Sequence, residues 1–154
     1  MLIKEIRKRG EIHITRLKDM QNLFRNSKGC NPNQEIYRVL VIARSELSYV
    51  ITIMKPGKIN GEFFMTKGHT HEILSSEVYY ALKGKGIVLI EKGSDCRMIK
   101  MEKGKFYEIP EGYSHRTINI GNSVLEVLNI YSTKSGHNYK IIEKKGFKKR
   151  FFGK

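Results

Sequence analysis

A chain of 154 residues has single-domain length and can bury one sizeable core without disulfide or metal staples. Its 40% hydrophobic content excludes a disordered chain, and no apolar window approaches the ~18 residues that span a bilayer. The net charge of +14 lies mostly at the ends, where residues 1–28 carry eight Lys/Arg against three acids and residues 140–154 carry seven against one.

No nucleic-acid motif accompanies this charge, so nucleic acid is not an expected partner. The tail KKGFKKRFFGK reads as a solvated, frayed or oligomer-facing terminus. The opening residues MLIKEIRKRG are charged where a secretion signal needs its apolar stretch, which points to the cytoplasm. Cys30 and Cys96 form neither a disulfide framework nor a CxxC pair, as suits a reducing compartment.

In chain order, only the surroundings of Gln21–Arg25 look mildly helical. Short β-branched and aromatic runs follow at residues 36–42, 49–53, 78–82 and 87–90, the last two split by Gly84 and Gly86. Further strands are expected at 98–101, 106–109, 116–120 and 124–131. Turn residues punctuate them at Pro56-Gly57, Gly93-Ser94, Gly104, Pro110-Glu111-Gly112 and Gly121-Asn122. Strands at such intervals without intervening helices predict one all-β domain, an antiparallel sandwich or barrel spanning 1–154 with its core at about 36–139.

His69 and His71 stand at i and i+2, which on a strand turns both imidazoles to one face. Glu77 begins the next strand and His115 enters a later one, just past a Pro-Glu-Gly turn. Three imidazoles and one carboxylate suit Fe, Mn, Co, Ni or Zn rather than Ca or Mg. Glu72 is an alternative carboxylate, but beside His71 it should face the opposite side. His13 reads as an ordinary strand residue. Lys67 and Arg116 flank the ligand positions, and strand parity points both away from them.

The spacing His69-x-His71-x5-Glu77-x6-Gly84, then Gly104-x5-Pro110-x-Gly112-x2-His115-x3-Asn119, resembles the two motifs of the cupin superfamily. The resemblance implies a small jelly-roll β-barrel with one metal held by His69, His71, Glu77 and His115. A narrower likeness comes from Thr66-Lys67-Gly68-His69, Glu77-Val78-Tyr79, Ser114 to Asn119 and Tyr131-x5-His137-x-Tyr139. Together these look like the cupin-type phosphoglucose isomerases of archaea, over roughly Ile36 to Tyr139. Two features depart from that pattern: the His71-to-Glu77 gap is one residue shorter, and the N-terminal region is abbreviated.

That family implies a metal-dependent aldose–ketose isomerase interconverting glucose 6-phosphate and fructose 6-phosphate, active as a homodimer. One divalent first-row metal is expected, Fe2+ first among Mn, Ni, Co and Zn. Glu77, His137 and Tyr131 become the candidate catalytic residues. Thr52, Thr66, Gly68, Tyr79 and Tyr139 become candidate contacts to sugar and phosphate. Hydrogen transfer can run through an enediol with Glu77 as base or through a metal-assisted hydride shift. The competing readings are another metal cupin enzyme, a dioxygenase, epimerase or lyase, and a non-catalytic sugar-sensing cupin.

Overall fold

Alternating apolar residues in Ile36-Tyr37-Arg38-Val39-Leu40-Val41-Ile42 build β2 (Glu35–Ala43), which pairs with β3 (Leu47–Met54) in a regular antiparallel ladder. The computed structural model describes residues 1–154. Around that pair grows a six-stranded sheet in the order β1-β2-β3-β11-β6-β9. Its other members are β1 (Glu11–Arg16), β6 (Glu77–Lys83), β9 (Phe106–Ile109) and β11 (Leu125–Ser132). A second sheet has the order β10-β7-β8, from β7 (Gly86–Lys92), β8 (Asp95–Met101) and β10 (Ser114–Asn119). The short strands β4 (Lys58–Ile59) and β5 (Glu62–Phe63) form a hairpin apart from both.

The expected all-β fold is present, with 46% of residues in strands and 15% in helices. Met54, Tyr79, Ala81, Ile109, Leu125 and Val127 of the larger sheet share one buried cluster with Ile87–Ile90, Met101 and Ile118 of the smaller. The core therefore lies between two facing layers. At one end of the sandwich, the irregular stretch 65–70 bridges to β10 through Met65↔Ile118 and His69↔His115.

Three elements differ from the sequence expectation. The N-terminus forms α1 (Leu2–Arg9), whereas residues 21–23 form only a single 3-10 turn. Eight residues make a marginal helix alone. Tertiary packing supplies the difference, because Ile6 is fully buried against Leu40, Ile51 and Leu128 on the outer face of the larger sheet. That burial contributes about 2 kcal/mol, and Arg7 and Arg44 add ion pairs with Glu126 and Glu5. The unread strand β1 adds an edge to the larger sheet, with His13 opposite Val39.

The third difference is the basic tail, which is docked and not frayed. After α2 (Lys140–Lys145), Phe147 enters the core cluster. The Lys148 N–H then donates to Glu91 (2.7 Å), the Phe63 N–H to the Phe151 carbonyl (2.9 Å), and the Gly153 N–H to the Gly61 carbonyl (2.9 Å). Glu62, only 2% exposed, accepts from Arg150 (2.8 Å) and from the Arg25 N–H (2.7 Å). The tail is a strap across β5.

Candidate active site

His69 and His115 face each other across an antiparallel bridge, with N–H···O=C contacts of 3.1 and 3.0 Å in both directions and ring centroids 4.3 Å apart. His71 follows two residues on. Glu77 opens β6, held between Ile109 of β9 and Tyr131 of β11. One carboxylate oxygen, Glu77 Oε2, lies 2.8 Å from His115 Nε2, 3.0 Å from His71 Nε2 and 3.8 Å from His69 Nε2. All four ligand atoms fall within 4.8 Å of one another. The exposed Glu72 is not part of this group.

The hydrogen-bond pattern fits a cation. His71 Nδ1 donates to the Gly136 carbonyl (2.9 Å) and His115 Nδ1 to the Tyr113 carbonyl (3.2 Å), so in the neutral imidazoles the Nε2 lone pairs face inward. Lone pairs facing a carboxylate oxygen repel unless a cation lies between them. His69 Nε2 and His115 Nε2 are moreover buried without a hydrogen-bond partner. Two outer carbonyls orienting two ligands, with orphaned nitrogens converging on one carboxylate, is the arrangement a divalent metal requires.

The protonation states agree. Burial raises the Glu77 carboxyl, but the surrounding imidazoles of His115, His69 and His71 outweigh this and hold it well below the usual range. Burial pushes His69 down to about 3, so that it stays neutral. His71 is raised, because its hydrogen bond to Glu77 overcomes the effect of burial.

The cluster sits at the wall of a cavity of about 360 Å³. Thr52, Thr66, Gly68, His69, Glu77, Tyr79, His115, Tyr131, His137 and Tyr139 all line it. His71 alone among the expected residues does not, although its Nε2 lies 3.0 Å from Glu77 Oε2. Each ring has its place: His137 packs edge-on 4.2 Å from His69 and 5.0 Å from Tyr131, and stacks at 6.1 Å on Tyr139. Burial lowers His137 and raises the phenols of Tyr79, Tyr131 and Tyr139, the last to about 12. Burial raises the lining phenol of Tyr37 as well, so at neutral pH the lining offers a neutral His137 imidazole and four protonated phenols. The Thr66 hydroxyl accepts from the Thr117 N–H (3.0 Å) and keeps its own proton free, whereas Thr52 donates to Asn129 Oδ1 (2.9 Å).

Sequence reasoning missed several lining residues, among them His13, Thr15, Tyr37, Asn129 and Lys67. His13 and Thr15 alternate with the exposed Ile12 and Ile14 along β1, a period-2 signal kept short by the charged Glu11 and Arg16 that bound it. Lys67 does not follow strand parity. Residues 66–68 are not a regular strand, and Gly68 at φ +79° turns the chain so that Lys67 lines the cavity, its ammonium 6.0 Å from the Tyr139 ring centroid. Arg116 does point away, as expected. It is 4% exposed, with its guanidinium 4.4 Å from the Phe147 ring centroid, and burial lowers it to about 10.

A two-layered antiparallel sandwich that closes one end around three imidazoles and a carboxylate defines a cupin with a metal-type site. Among solved structures, the chain is similar to an oxalate decarboxylase from Lactobacillus farciminis in a formate complex, with a TM-score of 0.56 and 23% identity over 67% of this chain and 30% of that one. At that identity the likeness speaks for the fold alone. The sequence profile "Glucose-6-phosphate isomerase (GPI)" matches residues 9–152, and the chain belongs to that family. It is 39% identical over 147 residues to the glucose-6-phosphate isomerase of Thermococcus litoralis and 38% identical over 147 residues to that of Pyrococcus furiosus. The first alignment covers 88% of this chain and 77% of the relative, the second 88% and 78%.

Proposed function

We propose that the chain is a metal-dependent isomerase interconverting glucose 6-phosphate and fructose 6-phosphate. The observation that carries this reading is the convergence of His69, His71, Glu77 and His115 on one another at the wall of a cavity lined by phenols, hydroxyls and His137, in a chain of this family. One first-row divalent metal, Fe2+ or one of Mn, Co, Ni and Zn, would be held by those four residues and would supply Lewis-acid polarisation of the C1 and C2 oxygens.

The chain's own groups handle the protons. Glu77, ionised at neutral pH, takes the proton from C2 of the aldose and returns it to C1. His137, neutral through burial, gives a proton to O1 and takes one from O2, so charge balances over the cycle. Tyr131 packs edge-on against His137 and hydrogen-bonds the open-chain sugar. The Thr66 hydroxyl, the Gly68 N–H and the Tyr79 phenol receive the phosphate, with Thr52 and Tyr139 completing the wall.

On this reading the chain works in the cytoplasm, because a charged sugar phosphate does not cross bilayers unaided. No helix is long and apolar enough to cross a membrane. A homodimer also belongs to the reading: edge strand β1 exposes Ile12 and Ile14, and edge strand β9 exposes Phe106. A coupled assay of fructose 6-phosphate formation from glucose 6-phosphate tests the function. Turnover should vanish on chelation and return with added divalent metal. Equal turnover of glucose and glucose 6-phosphate would overturn the reading.

A further inference from the structure

Arg116 is a buried cation with no carboxylate within hydrogen-bonding distance, next in sequence to the ligand His115. Burying a guanidinium without an ion-pair partner is costly, and such a group usually serves a defined contact. Its one hydrogen bond runs from Nη2 to the carbonyl of Lys67, at 2.7 Å, while Nε has no partner. Arg116 lies outside the cavity, but Lys67 and Gly68 line it. No peptide bond of the chain is cis, so the Lys67 carbonyl and the Gly68 N–H point in opposite directions from one rigid plane. A carbonyl drawn outward to Arg116 thus aims the Gly68 N–H inward. That N–H makes no hydrogen bond within the chain. The glycine is sterically required, since at φ +79° a Cβ would stand 2.6 Å from Phe147 Cε2.

We propose that Arg116 is a positioning residue for phosphate recognition, acting through the Lys67–Gly68 peptide. The guanidinium fixes the peptide plane and polarises it, so the Gly68 N–H becomes a stronger anion donor while the charge itself stays out of the pocket. This explains how the cavity can prefer a phosphorylated sugar with no arginine on its wall. The Phe147 ring of the C-terminal strap holds the guanidinium from its other side. The inference rests on the reading that the Gly68 N–H receives the phosphate.

The test uses full-length, zinc-loaded protein and two probes: a five-carbon phospho-aldonate and the same acid without phosphate. Arg116→Met keeps packing against Phe147, removes the guanidinium with its unpaired Nε and releases the Lys67 carbonyl. It should weaken the phosphorylated acid by about tenfold, the size of one charge-assisted contact reduced to a neutral one, and leave the plain acid and the zinc content unchanged. Arg116→Lys should recover part of the loss. Equal loss for both acids, or loss of zinc, would make Arg116 merely structural and overturn the proposal. In the wild type, titration with inorganic phosphate should shift the Gly68 amide resonance. This holds whether or not the variants fold. If Gly68 does not respond, the phosphate seat itself is misplaced and the proposal falls with it. If Gly68 responds but Arg116→Met binds both acids normally, the seat stands and only the role of Arg116 is refuted.

Discussion

At the scale of single residues, the sharpest expectation concerns Glu77. Its carboxylate lies within 3.0 Å of two imidazole nitrogens, and its pKa is held well below the usual range, so it is ionised at neutral pH. Glu77→Gln preserves shape and one ligand oxygen but removes the base, so kcat should fall at least ~10²-fold. Metal analysis of the same variant separates lost base from lost ligand. Retained turnover with retained metal would shift the mechanism to a hydride shift, and solvent deuterium absent from C1 and C2 of the products would agree. Thr66→Val and Tyr79→Phe remove donors that are not metal ligands. Each should weaken sugar-phosphate binding by ~1–3 kcal/mol per unpaired group, with unchanged metal content, read by titration calorimetry. The candidate ligands were legible through the likeness of their spacing to the two cupin motifs, because a His-x-His pair alone is only suggestive. Lys67 was not. A single left-handed glycine reverses side-chain parity, and parity is all that a strand pattern offers.

At the scale of elements, the strands with alternating β-branched residues formed nearly where their pattern places them. α1 and β1 were hidden for a shared reason: their charged residues interrupt the apolar pattern, and each is stabilised by one neighbouring surface. Leu2, Ile3 and Ile6 make a narrow stripe that has meaning only against the outer face of β2, β3 and β11. The strap 147–153 was hidden more deeply, since its lysines read as solvent-facing and its anchors, Glu62 and Glu91, are remote in sequence. Arg150→Ala should expose that anchor. Glu62 would remain buried with only the Arg25 N–H as partner, which costs about 1–3 kcal/mol for a part-exposed pair. Chemical denaturation should show a lower midpoint at an unchanged m-value. An unchanged midpoint would mean that backbone pairing at Phe63 and Gly61 suffices to hold the strap.

At the scale of the whole molecule, the candidate metal centre ties together three segments that the backbone joins only loosely at that end of the sandwich. These are the irregular stretch carrying His69 and His71, the start of β6 at Glu77, and the entry of β10 at His115. An ion bound only by the folded chain stabilises it by mass action, about 2.7 kcal/mol at a free concentration one hundred times Kd. For a domain of this length, each kcal/mol moves Tm by about 2–4 °C, so metal should raise Tm by roughly 5–10 °C over the chelated protein. The increment should depend on pH, with a sign set by His71. Its pKa is raised above the ordinary 6.5 by Glu77, so metal must displace a proton there as pH falls toward and below neutrality. His69, held near 3, stays neutral and imposes no such competition. The Tm increment should therefore be full near about pH 8 and shrink near about pH 6, whereas the chelated protein gains from the His71–Glu77 contact as the imidazole protonates. Differential scanning calorimetry with and without chelator at both pH values measures this. An increment independent of pH would show that His71 is not a ligand, and would leave His69, Glu77 and His115 to hold the ion.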